Sequence, residues 1–295
     1  MSAPITTATG AVSTGPRTSI LIAPRPQETD PDRFFRSRKR TAAVLGLGTP
    51  IVLLLAWQVA GMTNAVDVRF FPPPSAIFAE AIKMIESGRL FGDLWATVRS
   101  ILFGYALGLV TGIATGTLLG LSRWARAALE PMLSAIYTIP KLAILPLLLL
   151  IFGLGELPKI LLIALGVFFV IWVSVLEALD DIQPAYVEAA HIFNIRGWAR
   201  FRHVLIPAIL PQLFTGIRIA LGTSVLIAVG TEFVNGDEGI GFRIWHSWSL
   251  FQAGQMYVGI VAVALMGFLL TALVKFLGSK LVPWAPRESR RASGN

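Results

Sequence analysis

The sequence predicts an all-α integral membrane protein with six transmembrane helices, and three observations carry that prediction. Of its 295 residues, 55% are hydrophobic and 14% charged, with a mean hydropathy of +0.69; a soluble domain carries about 25% charged residues. The apolar residues fall in blocks of roughly 20, the length a helix needs to cross about 30 Å of hydrocarbon. These blocks do not alternate apolar with polar positions, as the strands of a spanning barrel do, which leaves helices.

Residues 1–40, rich in Ser, Thr, Pro and Arg and ending in RFFRSRKR, read as a disordered basic tail that stops against anionic headgroups. They contain no secretory signal, so the first span, 42–62, would act as its own insertion signal. FFPPPS then blocks helix continuation, and Ser75 is placed to cap AIFAEAIKMIESG, a short helix expected along the membrane surface. The second span, 97–121, carries Gly104, Gly108, Gly112, Gly116 and Gly120, one every four residues. Four residues turn a helix by about 400°, so the row drifts slowly around it as a smooth ridge open to close backbone approach. Such a ridge suits a sliding or dimer-forming helix, or close packing within one chain.

The third span, 131–152, holds Pro140 and Pro146 and is expected to kink. Lys141 inside it is a candidate for a solute pathway, because a charge at that depth needs water or a partner; snorkelling to an interface is the alternative. The remaining spans are placed at 157–176, 212–230 and 256–277. Glu232, directly after the fifth, is a second pathway candidate, either a gate or an interfacial charge. The transmembrane domain thus covers 41–282, and a basic tail, 283–295, follows it.

Six spans put both termini on one side. Fifteen Lys and Arg lie in the two tails, the 121–127 turn and the 177–211 stretch, against five (Arg69, Lys83, Arg89, Arg243 and, at the start of the fourth span, Lys159) on the opposite side. The positive-inside bias makes the tails and the 177–211 stretch cytoplasmic, and it accounts for the net charge of +8 without invoking nucleic acid.

Between the fourth and fifth spans stands VEAAHIFNIRGWARFRHVLIPAILP, residues 187–211. Pro184 suits the first turn of a helix that runs through Glu188 to about Phe193. Asn194 and Gly197 both accept positive φ and allow a sharp bend. A second short helix follows, with Trp198, Phe201 and Leu205 on one face and Arg196, Arg200 and His203 on another. Pro207 and Pro211 are expected to separate it from the fifth span. A helix, bend and helix of this kind suits lipid headgroups or a groove on a cytosolic partner.

The stretch resembles the EAA loop of the permease subunits of bacterial ATP-binding-cassette (type I) importers. That pattern is EAA, three residues, Gly, nine residues, then Ile-x-Leu-Pro. Here it reads Glu188-Ala189-Ala190, Asn194 at the glycine position, then Val204, Ile206 and Pro207, with the spacing kept throughout. Asn194 is the main departure, and asparagine is the residue best able to replace a left-handed glycine. The likeness extends over roughly 70–280. PPPSAIFA, YTIPKLAILPLLLLIFGLGELPKILLIALGVFF and GIGFRIW are similar to the aliphatic-sulfonate, taurine and nitrate branch.

The resemblance implies a multi-pass inner-membrane permease, most naturally a homodimer, with an extracytoplasmic solute-binding protein delivering substrate. Its loop would be a coupling helix docked on a separate ATPase subunit, which would hold ATP and Mg. Carried over by position, Glu188, Ala189, Ala190 and Asn194 form the docked turn, while Trp198 and Phe201 are apolar anchors. Arg196 and Arg200 face acidic groups of the partner; Gly197 and Pro207 shape the bend and the junction with the span. The branch implies a small oxyanion as solute, with a neutral or cationic organic solute on the same scaffold as the alternative.

Other function classes find less support. No GxxxxGK[ST] phosphate loop exists, so the chain has no nucleotide site of that type. His191, His203 and His246 are scattered, HExxH is absent and the chain has no cysteine, so neither a metal site nor catalysis is expected. An ion-driven secondary transporter would show internal repeats and intramembrane carboxylates, and no clear repeat is present.

Overall fold

The computed structural model describes residues 31–284, and every regular element among them is helical. Helix α1, Pro31–Met62, begins within the stretch read as a tail and carries Pro50 in its interior. The rest of that expected tail, and the C-terminal tail from 285 onward, lie outside the described residues. The chain divides into two compact units, Met1–Trp57 and Gln58–Asn295. The second holds the elements that position the site.

Helix α2, Pro74–Glu86, opens on a proline whose missing N–H is no loss in a first turn. Ser75 does not cap it. Instead the Ser75 N–H donates to Gln58 Oε1 at 3.0 Å, and Gln58 Nε2 donates back to Ser75 Oγ at 2.9 Å. A side chain from elsewhere therefore satisfies an orphan donor of the helix start. Helix α3, Arg89–Leu121, and α6, Glu156–Asp180, are long and apolar enough to cross a membrane, as are α1 from Val44, the run Gly197–Asn235, and α11, Ala253–Leu281.

A sixth span results when α4, Arg123–Tyr137, is counted together with Lys141–Phe152, the two being bent by 91°. Lys141–Phe152 consists of a 3-10 turn, Lys141–Ile144, and α5, Leu145–Phe152. The single kinked helix expected at 131–152 is thus a break between two arms, and the first arm starts earlier, at Arg123. Pro140 explains the severity: it offers no N–H to the preceding turn and pushes Ile139 away from helical geometry.

Hydrophobicity does not drive helices together in lipid, so close van der Waals contact must do so. The glycine ridge provides that contact within the chain. A Cβ at Gly104, Gly108, Gly112 or Gly116 would lie 2.7–2.9 Å from the Cβ of Ile163, Val167, Ile171 or Val175 respectively, and Gly120 faces Leu179. Each pair is separated by the same 59 positions, so α3 and α6 run parallel and in register, and the slow drift of one ridge follows that of the other. Ile163, Val167, Ile171 and Val175 are fully buried in this contact. On a different side of α6, Gly166 receives Ile227, and Ser174 meets Gly216 of α9, Ile206–Asn235.

Candidate functional site

Helix α7, Pro184–Ile192, ends in a tight closure: the Phe193 N–H donates to Ala189 O and the Ile195 N–H to Ala190 O, at 3.0 and 2.8 Å. Asn194 stands at φ 52 and Gly197 at φ 56, both left-handed, so the chain leaves helical geometry between Phe193 and Trp198 and turns there. Ala190 is buried beneath the turn, while Tyr186, Ile192, Phe193 and Trp198 are exposed, Trp198 at 70%. Glu188 and Arg196 make no hydrogen bond or ion pair among the described residues. The turn thus presents aromatic and aliphatic side chains with an unpaired carboxylate, a composition suited to burial against another protein.

Helix α8, Gly197–Arg200, continues through a π-helical turn, Phe201–Leu205, directly into α9. Pro207 and Pro211 do not separate the segment from the span, contrary to the sequence expectation; Gly197–Asn235 is one 39-residue run. Pro207 falls directly after the π-helical turn, ten residues into the continuous run, and removes one N–H from its hydrogen-bond ladder. Pro211 leaves the Pro207 carbonyl without its i+4 donor, and Trp284 Nε1 donates to that oxygen at 3.2 Å. Further ties fix the same end of the bundle. Arg126 of α4 donates to both carboxylate oxygens of Asp180 at 2.7 and 2.8 Å, and Gln212 donates to Asp181 at 3.3 Å. A groove of about 550 Å³ separates Trp198 and Phe201 from Leu118 and Leu121 at the end of α3.

The two expected pathway charges are placed differently from the sequence reading. Lys141 sits at the break of the bent pair, where its Nζ donates to the carbonyls of Tyr137 and Ile139 at 2.5 and 2.9 Å. It also lies over the Tyr137 and Phe169 rings. It seals the carbonyl end of α4, where a cation is favoured. Glu232 is buried at 2% exposure. Its carboxylate accepts from Thr97 Oγ1 at 2.7 Å and from the Gly241 N–H at 2.8 Å, and Thr97 Oγ1 accepts from the Ile240 N–H at 2.9 Å.

These donors are the first amides of α10, Ile240–Ser249. Glu232 and Thr97 therefore cap α10 from outside it, taking the orphan N–H groups that helix starts leave. Gly239 has φ 110, and a Cβ on either Gly239 or Gly241 would crowd the carboxylate, which accounts for both glycines of GIG. Arg243 Nε reaches Asp93 at 2.7 Å and ties α10 to α3 again. Both candidate charges thus make hydrogen bonds at helix ends.

Sequence reasoning missed Thr97, Asp93, Arg243 and Trp284. One signal was available: two prolines at i and i+4 announce an unfilled carbonyl, although nothing local names the donor. The Thr97–Glu232 contact joins residues 135 positions apart and has no local trace.

Residues 104–284 match the family described as binding-protein-dependent transport system inner membrane component. A Bacillus subtilis protein named for aliphatic sulfonates transport, the permease protein SsuC, is 33% identical over 247 residues, covering 84% of this chain and 90% of that one. The riboflavin transport system permease protein RibX of Chloroflexus aurantiacus is 33% identical over 241 residues, covering 81% and 90%. In three dimensions the chain is similar to an inward-facing MetNI methionine ABC transporter structure, with a TM-score of 0.54 and 24% identity over 66% of this chain and 95% of that one. The family match over residues 104–284 and the likeness to permeases named for sulfonate, taurine and nitrate transport show that the chain belongs to the family of inner-membrane permease components of ATP-binding-cassette importers.

Proposed function

We propose that this chain forms the solute pathway of an ATP-driven importer and that residues 184–205 are the handle by which a separate ATPase subunit moves the spans. The observation that carries this reading is the unbroken helical run from Gly197 to Asn235, with Trp198 exposed at its start. A handle must be stiff and joined to a span without slack, and a continuous hydrogen-bonded helix meets that requirement. Glu188, Ala189, Ala190 and Asn194 make the docked turn, and Trp198 and Phe201 are the apolar anchors. Arg196 and Arg200 meet acidic groups of the ATPase, Gly197 sets the bend, and Pro207 starts the span. ATP and Mg belong to the partner.

In this reading the permease is a homodimer in the inner membrane with both termini cytoplasmic, and an extracytoplasmic binding protein delivers the solute. The solute is a small oxyanion, as the name of the sulfonate permease suggests. The test pairs Glu188→Lys with Trp198→Ala in the assembled importer. Both variants should insert normally in the membrane, while co-purification of the ATPase subunit and ATP-dependent uptake fall by about tenfold, the usual loss on truncating a central aromatic anchor. Wild-type co-purification and uptake in both variants would remove the segment from the coupling role.

A further inference from the structure

Three cations lie set back from the ends of the spans: Arg99, Lys141 and Arg218. Burying a cation at membrane depth is expensive unless it faces water or a partner. Arg99 meets Glu156 and Glu238. Lys141 is taken up by two carbonyls and two aromatic rings. Arg218 has nothing. Its Nε is buried without a hydrogen-bond partner, and no ion pair holds its guanidinium among the described residues.

Arg218 stands six residues inside the span placed at 212–230, roughly 9 Å from its near edge at about 1.5 Å per residue, and its Nε is turned into the protein. It borders a face on which Thr215, Ile219, Gly222 and Leu226 are exposed at helical spacing. One turn along, a Cβ on the exposed Gly222 would find nothing within 4 Å, so this face of the helix has no packing neighbour within the chain at that point. The hydroxyls on this side, Thr215 and Thr223, donate to carbonyls of their own helix. An unpaired guanidinium set inside a span is costly against hydrocarbon, and an anion relieves that cost.

We infer that Arg218 is the contact by which the permease holds the anionic group of its solute during passage. A planar fork of N–H donors fits two oxygens of a sulfonate, nitrate or carboxylate in one plane, which a lysine point charge does less well. The inference rests on the proposed import function and assigns the anion-binding role to Arg218 in place of Lys141. An acidic group of a second permease copy is the competing acceptor, and the experiment separates the two.

Full importer, carrying permease, ATPase and binding protein, is reconstituted in proteoliposomes and assayed for ATP-dependent uptake of methanesulfonate, taurine and nitrate, with riboflavin as the control. Arg218→Gln should lower uptake of the accepted oxyanion by about tenfold or more, the scale of losing a charge-assisted pair. Arg218→Lys should keep a measurable part of it, and the yield of assembled complex should stay constant in both. Wild-type uptake by Arg218→Gln overturns the inference and leaves the importer reading intact. Loss of assembled complex, with uptake per complex unchanged, overturns it in favour of a subunit contact. A wild-type importer that accumulates none of the three oxyanions overturns the substrate class, and this inference with it.

Discussion

Gly108→Ala, compared with Gly92→Ala in the same helix, tests whether the glycine ridge is a close backbone contact within one chain. At Gly92 a Cβ would meet nothing within 4 Å. At Gly108 it would lie 2.5 Å from the Ala164 carbonyl oxygen and 2.7 Å from Val167 Cβ. The first obstacle is backbone, so rotating a side chain cannot relieve it, and α3 and α6 must part. Replacing a helical glycine by alanine gains up to about 1 kcal/mol of propensity at either position, and that term largely cancels in the comparison. What remains is overpacking, about 1–3 kcal/mol. Gly120→Ala provides an internal gradation, because its nearest obstacle is the flexible end of Leu179, which can swing aside. Thermal unfolding of the purified protein in detergent should rank Gly92→Ala highest, Gly120→Ala next and Gly108→Ala lowest, the extremes differing by several degrees. A Gly108→Ala protein as stable as Gly92→Ala would refute the contact, and a loss appearing only in an assembled dimer would move the ridge to the subunit interface.

Two further outcomes follow from the caps and ties. Glu232→Ala strips the acceptor from the Gly241 amide, while the Thr97 hydroxyl can still donate to Asp93 O at 3.2 Å; one buried unsatisfied group costs about 1–3 kcal/mol, so melting should fall below wild type. Unchanged melting with unchanged hydrogen exchange at α10 would argue against the cap. Trp284→Phe keeps a ring and removes the donor to Pro207 O, which should lower stability by about 0.5–1.5 kcal/mol. In a Pro211→Ala background residue 211 can itself serve that carbonyl, so the Trp284→Phe effect should shrink towards zero; equal effects in both backgrounds would mean that the indole acts by packing alone.

The fold was legible where composition and period suffice, and illegible where a partner had to be known. Five or six apolar spans stand out by length alone, because the solvent itself imposes that length. The ridge from Gly104 to Gly120 was visible as a period, yet its partner was not, even though Ile163, Val167, Ile171 and Val175 repeat with the same interval. A four-residue row of β-branched residues in an apolar helix gives no local reason to face glycine. The prolines misled in opposite directions. Pro140 breaks its span more sharply than a kink, while Pro207 and Pro211 leave theirs continuous. In a membrane the outcome depends on what fills the freed carbonyls: the Lys141 ammonium at a break, the Trp284 indole along a continuing helix. Charge depends on unseen partners in the same way. Lys141 and Glu232 stand out in sequence as isolated charges near apolar runs, and the helix ends that they bond are not visible there. Arg218, embedded in a run of apolar residues, has no hydrogen-bond or ion-pair partner among the described residues.

The same features constrain how a push on residues 184–205 would travel. From Gly197 to Asn235 the chain is one helical run of 39 residues, roughly 58 Å at about 1.5 Å per residue. Near one end, Trp284, Gln212 and Pro207 tie it to neighbouring elements; near the other, the Glu232 carboxylate holds the first amides of α10. A rod clamped in this way converts a small displacement at the bend into tilt along its length, and α10 must follow because its cap is borne on the rod. The softest point is the π-helical turn at Phe201–Leu205, where hydrogen-bond geometry departs from the α ladder. Arg218 lies between the clamps, on the stretch that tilt would move past a solute held at mid-depth. On the proposed roles, handle, anion contact and the cap of α10 sit on a single mechanical element, and moving any one of them without the others would require that element to bend at Phe201–Leu205.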